Sequence, residues 1–263
     1  MLQLSEIWIY PIKSMGGIRL QSSKVAEKGL TFDRRWMLID ENNKFITQRV
    51  HPILALFKLE KQEDAFRIAF NGDSILLPLT KIPIGQPIKA TIWDDEVITQ
   101  EVSPFISNWI SEKIGMSSKL VAFPENNSRP VDPSYAIHQE QVSLADGYPL
   151  LIIGQNSLND LNHKLVSPVP MNQFRPNLVF TGGLPYQEDS WKYFSIGKNK
   201  FVGVKPCSRC VLTTVDQETG KQGKEPLATL ATYRKKDNKI YFGQNVLAIN
   251  YHEIHEGDEI ILE

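Results

Sequence analysis

The chain has 263 residues, 41% hydrophobic and 22% charged, with a formal net charge of −1. That is too apolar for a disordered chain, and it offers no basic field to nucleic acid or an anionic membrane surface. No apolar run approaches the roughly 20 residues of a transmembrane helix, and residues 1–6 lack the basic-then-apolar order of a signal peptide.

In chain order, the first hundred residues predict closely spaced strands. They fall at Leu4–Ile12, Arg35–Ile39, Leu54–Leu59, Ala65–Phe70, Ser74–Leu79, Ile88–Trp93 and Val97–Val102. Asn71-Gly72-Asp73 and Asp94-Asp95-Glu96 read as hairpin turns. A helix is predicted from Pro104, with Ser103 as its N-cap and Phe105, Trp109 and Ile110 on one face. Lys119–Phe123 reads as a strand and 124–133, rich in proline, as a loop. Leu150–Gly154 reads as a buried strand followed by a short helix over 156–162. Strands at Asn177–Thr181, Phe201–Val204, Val211–Val215, Val246–Ile249 and Glu259–Leu262, with a helix over Pro226–Arg234, complete the chain. The fold class is mainly β with a few helices (α+β): a barrel-like N-terminal domain over 1–115 and a second strand-rich domain over 116–263.

Cys207 and Cys210 are the only cysteines, in one C-x-x-C. They are too close together to staple a fold of this size and point to a reducing cytoplasm. Three chemical readings stand beside simple packing. A redox pair needs a helix N-terminus, whereas Val211–Val215 favours a strand. A zinc site needs four ligands, and the remaining candidates, His252 and His255, read as solvated loop residues. In the third reading one thiolate ligates a metal held mostly by an organic cofactor, with Lys205 and Arg209 favouring the thiolate.

Other segments suit an anionic, hydrogen-bonding ligand. Tyr10–Gly17 ends a strand in a glycine-rich turn presenting Lys13 and Ser14, a phosphate cradle of backbone N–H groups. Phe32–Trp36 places Arg34 and Arg35 at a strand start. Gln173, Arg175 and Asn177 offer amides around one guanidinium, against a heterocycle edge or as loop-ordering bonds. Phe242–Asn245 enters a late strand with two amides.

Y-P-I-K-S, D-R-R-W, F-R-P-N, C-S-R-C-V-L-T-T-V-D and F-G-Q-N, in this order, resemble MOSC-domain proteins with an N-terminal MOSC β-barrel domain. The resemblance runs from Ile7 to Ile261 and is to the branch containing the mitochondrial amidoxime-reducing component and its bacterial relatives. It implies a molybdenum cofactor, molybdenum on the dithiolene of molybdopterin, a phosphate-bearing pterin. By motif, Cys210 is the catalytic metal ligand, and Cys207 has a conformational or packing role. Lys13, Ser14 and Arg34 match the phosphate end, and Arg175 matches a further cofactor contact. Asp146, Gly147 and Tyr148 lie at the cofactor-binding turn. There Gly147 and Tyr148 stand where the amidoxime-reducing proteins have small hydroxyl residues. Gln173 and Asn245 replace a different amide and a Tyr at cofactor-binding positions.

The implied reaction is oxygen removal from small N-hydroxylated compounds such as amidoximes and hydroxylamines. No cysteine is left over for an iron–sulfur domain, so electrons are expected from a separate flavin, haem or iron–sulfur protein. Protons come from solvent or Asp216. The expected setting is cytoplasmic, with no membrane and no nucleic acid. The rival readings are a cofactor carrier or sulfur-transfer protein using Cys210, and an idle pterin-binding protein.

Overall fold

Alternation of apolar residues along β1 (Leu2–Ile9) buries Leu4, Ile7 and Ile9 and makes this first strand a stave of the larger sheet. The structure is a computed structural model describing residues 1–79 and 86–263. The other staves are β2 (Leu150–Gly154), β3 (Leu178–Thr181), β4 (Tyr193–Ile196), β5 (Asn199–Arg209), β6 (Lys239–Ala248) and β7 (Glu259–Leu262). Their order is β2-β3-β1-β7-β4-β5-β6, and β6 returns to pair with β2, closing a seven-stranded barrel. β2 and β3 run parallel and the other barrel pairs antiparallel. Closure satisfies the sheet edges internally. Phe180, Trp191, Phe194 and Phe201 fill one end of the core with successive ring centroids 4.5, 5.1 and 5.5 Å apart.

β2 is buried along its whole length. Its outer side chains, Leu151 and Ile153, share an apolar cluster with Leu158 and Leu161 of helix α2 (Gln155–Asn162). A strand covered on both faces reads as a continuous apolar run, which is its sequence signature.

Outside the barrel, Trp36–Ile39, Lys119–Ala122, Asp95–Glu101 and Pro87–Ile92 form a four-stranded antiparallel sheet. Lys58–Lys61, Ala65–Phe70 and Asp73–Pro78 form a three-stranded one. Helix α1 (Pro104–Ile114) buries Ile106 and Ile110 and ends at Gly115 in the left-handed region, φ 70°. Ser103 holds its N-cap position without a side-chain cap bond. A third helix, Leu227–Tyr233, lies where predicted. Among the described residues five strand pairings cross residue 115: β1 with β3, β1 with β7, Trp36–Ile39 and Asp95–Glu101 each with Lys119–Ala122, and Ser22–Ala26 with Glu253–His255. No helix among the described residues is long and apolar enough to cross a membrane.

Four expectations are corrected. Leu54 and Ala55 lie in a 3-10 turn, Pro52–Leu56, and the strand begins at Lys58. Pro52 starts that turn with its fixed φ. Val211–Thr214 is a 3-10 turn as well. There the Thr213 N–H and hydroxyl both donate to Cys210 O, and the Thr214 hydroxyl to Val211 O, so side-chain bonding overrides β propensity. The strand predicted at Phe201–Val204 runs on to Arg209, with irregular register between Gly203 and Lys205 and between Pro206 and Ser208. Pro206 has no N–H for the ladder and sits at the second irregularity. The strand predicted at Val246–Ile249 begins seven positions earlier, at Lys239, and so takes in Phe242–Asn245.

Candidate functional site

A cleft of about 820 Å³ empty volume, its open mouth included, lies where the end of β5 meets the loop before β2. Lys13, Ser14, Arg34, Asp146, Gly147, Tyr148, Arg175, Asn245 and Cys210 all line it. Gln173 does not: it is buried behind the wall, and its Nε2 donates to Thr213 O at 3.1 Å, bracing the turn after Cys210.

One wall is cationic. Lys13 Nζ donates to Leu144 O at 2.8 Å and to Asp146 Oδ1 at 2.5 Å. Asp146 also accepts from Arg49 Nη2 at 2.9 Å and Trp93 Nε1 at 3.2 Å. The surrounding protein disfavours the charge on Asp146, but Lys13 and Arg49 outweigh it and hold the carboxyl well below the usual range. Asp146 is therefore tied as a carboxylate to Lys13 and Arg49. Arg34 donates from Nη1 to Asp33 Oδ2 (2.6 Å) and Asn177 Oδ1 (3.1 Å), and from Nη2 to Arg175 O (3.2 Å). Arg175 Nη1 donates to Met15 O at 2.6 Å. Burial and then the nearby Arg34 charge lower the Arg175 guanidinium to about 10. Ser14, Arg34 and Arg175 all have left-handed backbones, φ 71°, 49° and 53°. Such conformations cost on the order of 1 kcal/mol each in non-glycine residues, and their clustering here marks a site whose geometry is over-determined.

Sequence reasoning missed four residues here, two that line the cleft and two that brace the Asp146 loop from outside it. Arg49 comes from a segment with no predicted element and Trp93 from the end of a predicted strand, and their side chains stack, guanidinium to ring centroid 4.2 Å. Arg129, from the proline-rich loop, is buried and donates to the carbonyls of Ser143, Ala145 and Asp146, so it shapes the cleft loop. Thr47 also faces the cleft. The residue types alone carry no signal for these positions, because each acts across a large sequence separation.

The glycine cradle is corrected too. The N–H groups of Lys13, Met15 and Gly16 are bonded to Trp36 O, Ile12 O and Phe57 O. A Cβ on Gly16 would lie 2.6 Å from Phe57 O, and one on Gly17 2.5 Å from the Tyr10 ring. These glycines serve close packing. The Asn177 amide is likewise committed within the protein, to Trp8 O, Leu151 N–H and Arg34. Asn245 donates to Lys205 O at 3.1 Å. At Gly147 a Cβ would meet nothing within 4 Å. Burial, and then Asp132, raises the Tyr148 phenol above its ordinary value, and the ring packs edge-on against Tyr135 at 5.9 Å.

The two cysteines have different surroundings. Arg209 donates from Nη1 to Cys207 Sγ at 2.9 Å and from Nη2 to Phe174 O at 2.7 Å. The Lys205 ammonium lies over the Tyr135 ring at 4.4 Å. So Arg209 serves Cys207 and Lys205 serves Tyr135, contrary to the expectation that both act on the ligating thiol. Cys210 is a free thiol whose sulfur makes no hydrogen bond among the described residues. It precedes a four-residue 3-10 turn rather than an α-helix, so the redox-pair geometry is absent. Among the described residues no three His, Cys, Asp or Glu side chains are grouped to hold a metal, and His252 and His255 are exposed beside the Ser22–Ala26 strand. Asp216 is outside the cleft. Backbone N–H bonds from Thr219 and Glu218 lower its pKa, which makes it a poor acid and corrects the proton-donor expectation.

The cleft thus sets five cations (Lys13, Arg34, Arg49, Arg175, Arg209) against one carboxylate, Asp146, in a nearly neutral chain. Arg49 Nε and Arg209 Nε are buried without a partner among the described residues. That donor set fits a ligand with an anionic end and a soft, thiolate-seeking centre.

Lys13 supplies a pH test of the anionic end. Burial lowers its pKa to about 8, against the pull of Asp146. The ammonium attracts an anion and the free amine does not, so affinity falls as pH rises through and above about 8. Sulfate, which does not titrate in this range, is expected to bind up to about tenfold more weakly per pH unit there. Lys13→Met should bind weakly already at pH 7 and show no such step. Calorimetric titration at several pH values checks both.

Residues 139–261 match the MOSC domain family, and residues 1–117 match the MOSC N-terminal beta barrel domain. The chain is 34% identical to mitochondrial amidoxime-reducing component 1 of Mus musculus, over 98% of this chain and 82% of that protein. It is 31% identical to mitochondrial amidoxime reducing component 2 of Bos taurus, over 94% and 78%. It is 32% identical to molybdenum cofactor sulfurase of Oryza sativa subsp. japonica, over 98% of this chain but 33% of that larger protein. The chain therefore belongs to the molybdenum-cofactor-related family of MOSC-domain proteins that carry an N-terminal MOSC β-barrel domain.

Proposed function

We propose that the protein is a molybdenum-cofactor-dependent reductase of N-hydroxylated compounds, amidoximes and hydroxylamines, with electrons from a separate redox protein. The observation that carries this reading is one hydrogen-bond-free thiol, Cys210, in a cleft with five cations. Lys13, Ser14, Arg34 and Arg175 would hold the phosphate end of the pterin, and Cys210 would ligate molybdenum. When bound, the cofactor supplies two-electron removal of oxygen from an N–O bond, and two protons complete the release of water. Gln173 and Thr213 brace the Cys210 turn, Arg129 shapes the loop carrying Asp146 and Gly147, and the open mouth admits substrate and protons from solvent. Gly147 leaves space that a side chain would take. A reducing, cytoplasmic setting belongs to the reading, because the ligand must remain a thiolate. The relatives named amidoxime-reducing components support the substrate class.

The likeness to a molybdenum cofactor sulfurase favours a second reading, in which Cys210 carries or transfers sulfur or cofactor without turnover. Protein from a molybdenum-competent host is to be assayed for metal, for the molybdenum(V) paramagnetic signal, and for benzamidoxime reduction with a reduced viologen dye. Stoichiometric molybdenum with turnover is the expected result. Molybdenum without turnover supports the carrier reading, and metal-free protein from such a host overturns both.

A further inference from the structure

Tyr10 ends the approach from β1 to the cleft and is 1% exposed. Its ring carries two guanidinium groups, Arg34 at 4.5 Å and Arg175 at 4.2 Å from the centroid. Both arginines line the cleft and Tyr10 does not. Two like charges held this close repel each other, and the negative face of an aromatic ring offsets part of that cost. The Asp33 carboxylate ties the assembly together: Oδ1 accepts the Tyr10 N–H at 2.8 Å, and Oδ2 accepts Arg34 Nη1. The ring fills the space a Cβ on Gly17 would need. The phenol oxygen, by contrast, is buried without a hydrogen-bond partner among the described residues. The polar contacts of the Tyr10 side chain are therefore made by its ring, and the hydroxyl is a cost the site carries.

We propose that Tyr10 is a positioning residue whose ring sets the spacing of Arg34 and Arg175 as a paired site for one doubly charged phosphate. The proposal rests on the reading of this cleft as the seat of a phosphate-bearing cofactor. It adds how two adjacent cations are held ready without a ligand.

The test measures binding of inorganic phosphate by calorimetry at low ionic strength, alongside a thermal melt of each variant. Tyr10→Phe keeps both ring faces and is expected to bind phosphate within about twofold of wild type, with an equal or higher melting temperature. Tyr10→Leu removes the faces and is expected to bind about tenfold more weakly, the scale of one or two cation–π contacts. Pentafluorophenylalanine at position 10 keeps the shape and reverses the ring polarity, so it should weaken binding comparably even if the leucine variant folds poorly. In an Arg34→Gln, Arg175→Gln background, Tyr10→Leu should have no further effect.

Wild-type affinity in both the leucine and the fluorinated variants overturns the proposal. So does an equal loss from Tyr10→Leu in the double-arginine background, or a wild-type protein that binds no phosphate. Molybdenum content is read separately. Ring-dependent phosphate binding in a protein that never carries molybdenum sinks the cofactor reading and leaves the role of Tyr10 standing.

Discussion

Cys210→Ala protein is expected to fold normally and to lose benzamidoxime reduction down to the background of the dye alone. The turn that follows position 210 is made by the main chain, because Cys210 O accepts both bonds from Thr213 and its sulfur holds nothing in place. Removing one half-buried sulfur should cost stability only about 1 kcal/mol. Cys207→Ala is the informative partner. It strips one acceptor from Arg209 Nη1 and leaves Nη2 on Phe174 O, so about 1 kcal/mol and a several-fold fall in rate are expected. Metal analysis should show the same division, with molybdenum lost from the Cys210 variant and retained in the Cys207 variant. Full activity in Cys210→Ala, or equal loss in both, would remove the thiolate ligand from the account.

Asp33→Ala is expected to lower unfolding stability by about 3 kcal/mol, within the range for breaking a buried ion pair from one side. Asp33 is completely buried and receives the Tyr10 N–H and the Arg34 guanidinium. Deleting its carboxylate orphans that N–H and leaves Arg34 beside Arg175 with no anion between them and the core. Asp33→Asn keeps an acceptor for Tyr10 and loses only the charge, so its loss should be clearly smaller. Urea unfolding midpoints of the two variants check the order. Equal midpoints for wild type and Asp33→Ala would mean that Arg34 finds compensation elsewhere.

Much of the site was legible because its chemistry is scarce. Sulfur occurs at two positions, and Lys13, Arg34 and Arg175 each follow or precede a strand-like run. The errors have local physical causes. The β-branched run after Cys210 reads as a strand, but Thr213 and Thr214 spend their hydroxyls closing a 3-10 turn. Gln173 stands two residues from Arg175 and reads as its partner at the ligand, yet it turns inward to Thr213. The glycines after Ser14 read as an anion cradle, and they are small because Phe57 and Tyr10 occupy the space beside them.

By itself, the sequence determined the mainly β class, most strands and hairpin turns, and the one segment that carries sulfur. These follow from side-chain alternation, turn chemistry and the rarity of sulfur, which act over a few residues. Only the tertiary structure decided that β1 closes a barrel with strands from the other end of the chain. It also brought Arg49 to the cleft, set Trp93 and Arg129 against the Asp146 loop, and gave the two sulfurs different partners. Those outcomes depend on strand register across more than a hundred residues and on which buried charges find partners. Neither is written in local periodicity. The C-x-x-C marks the place, and the barrel determines that both sulfurs line the cleft with Arg209 turned to Cys207.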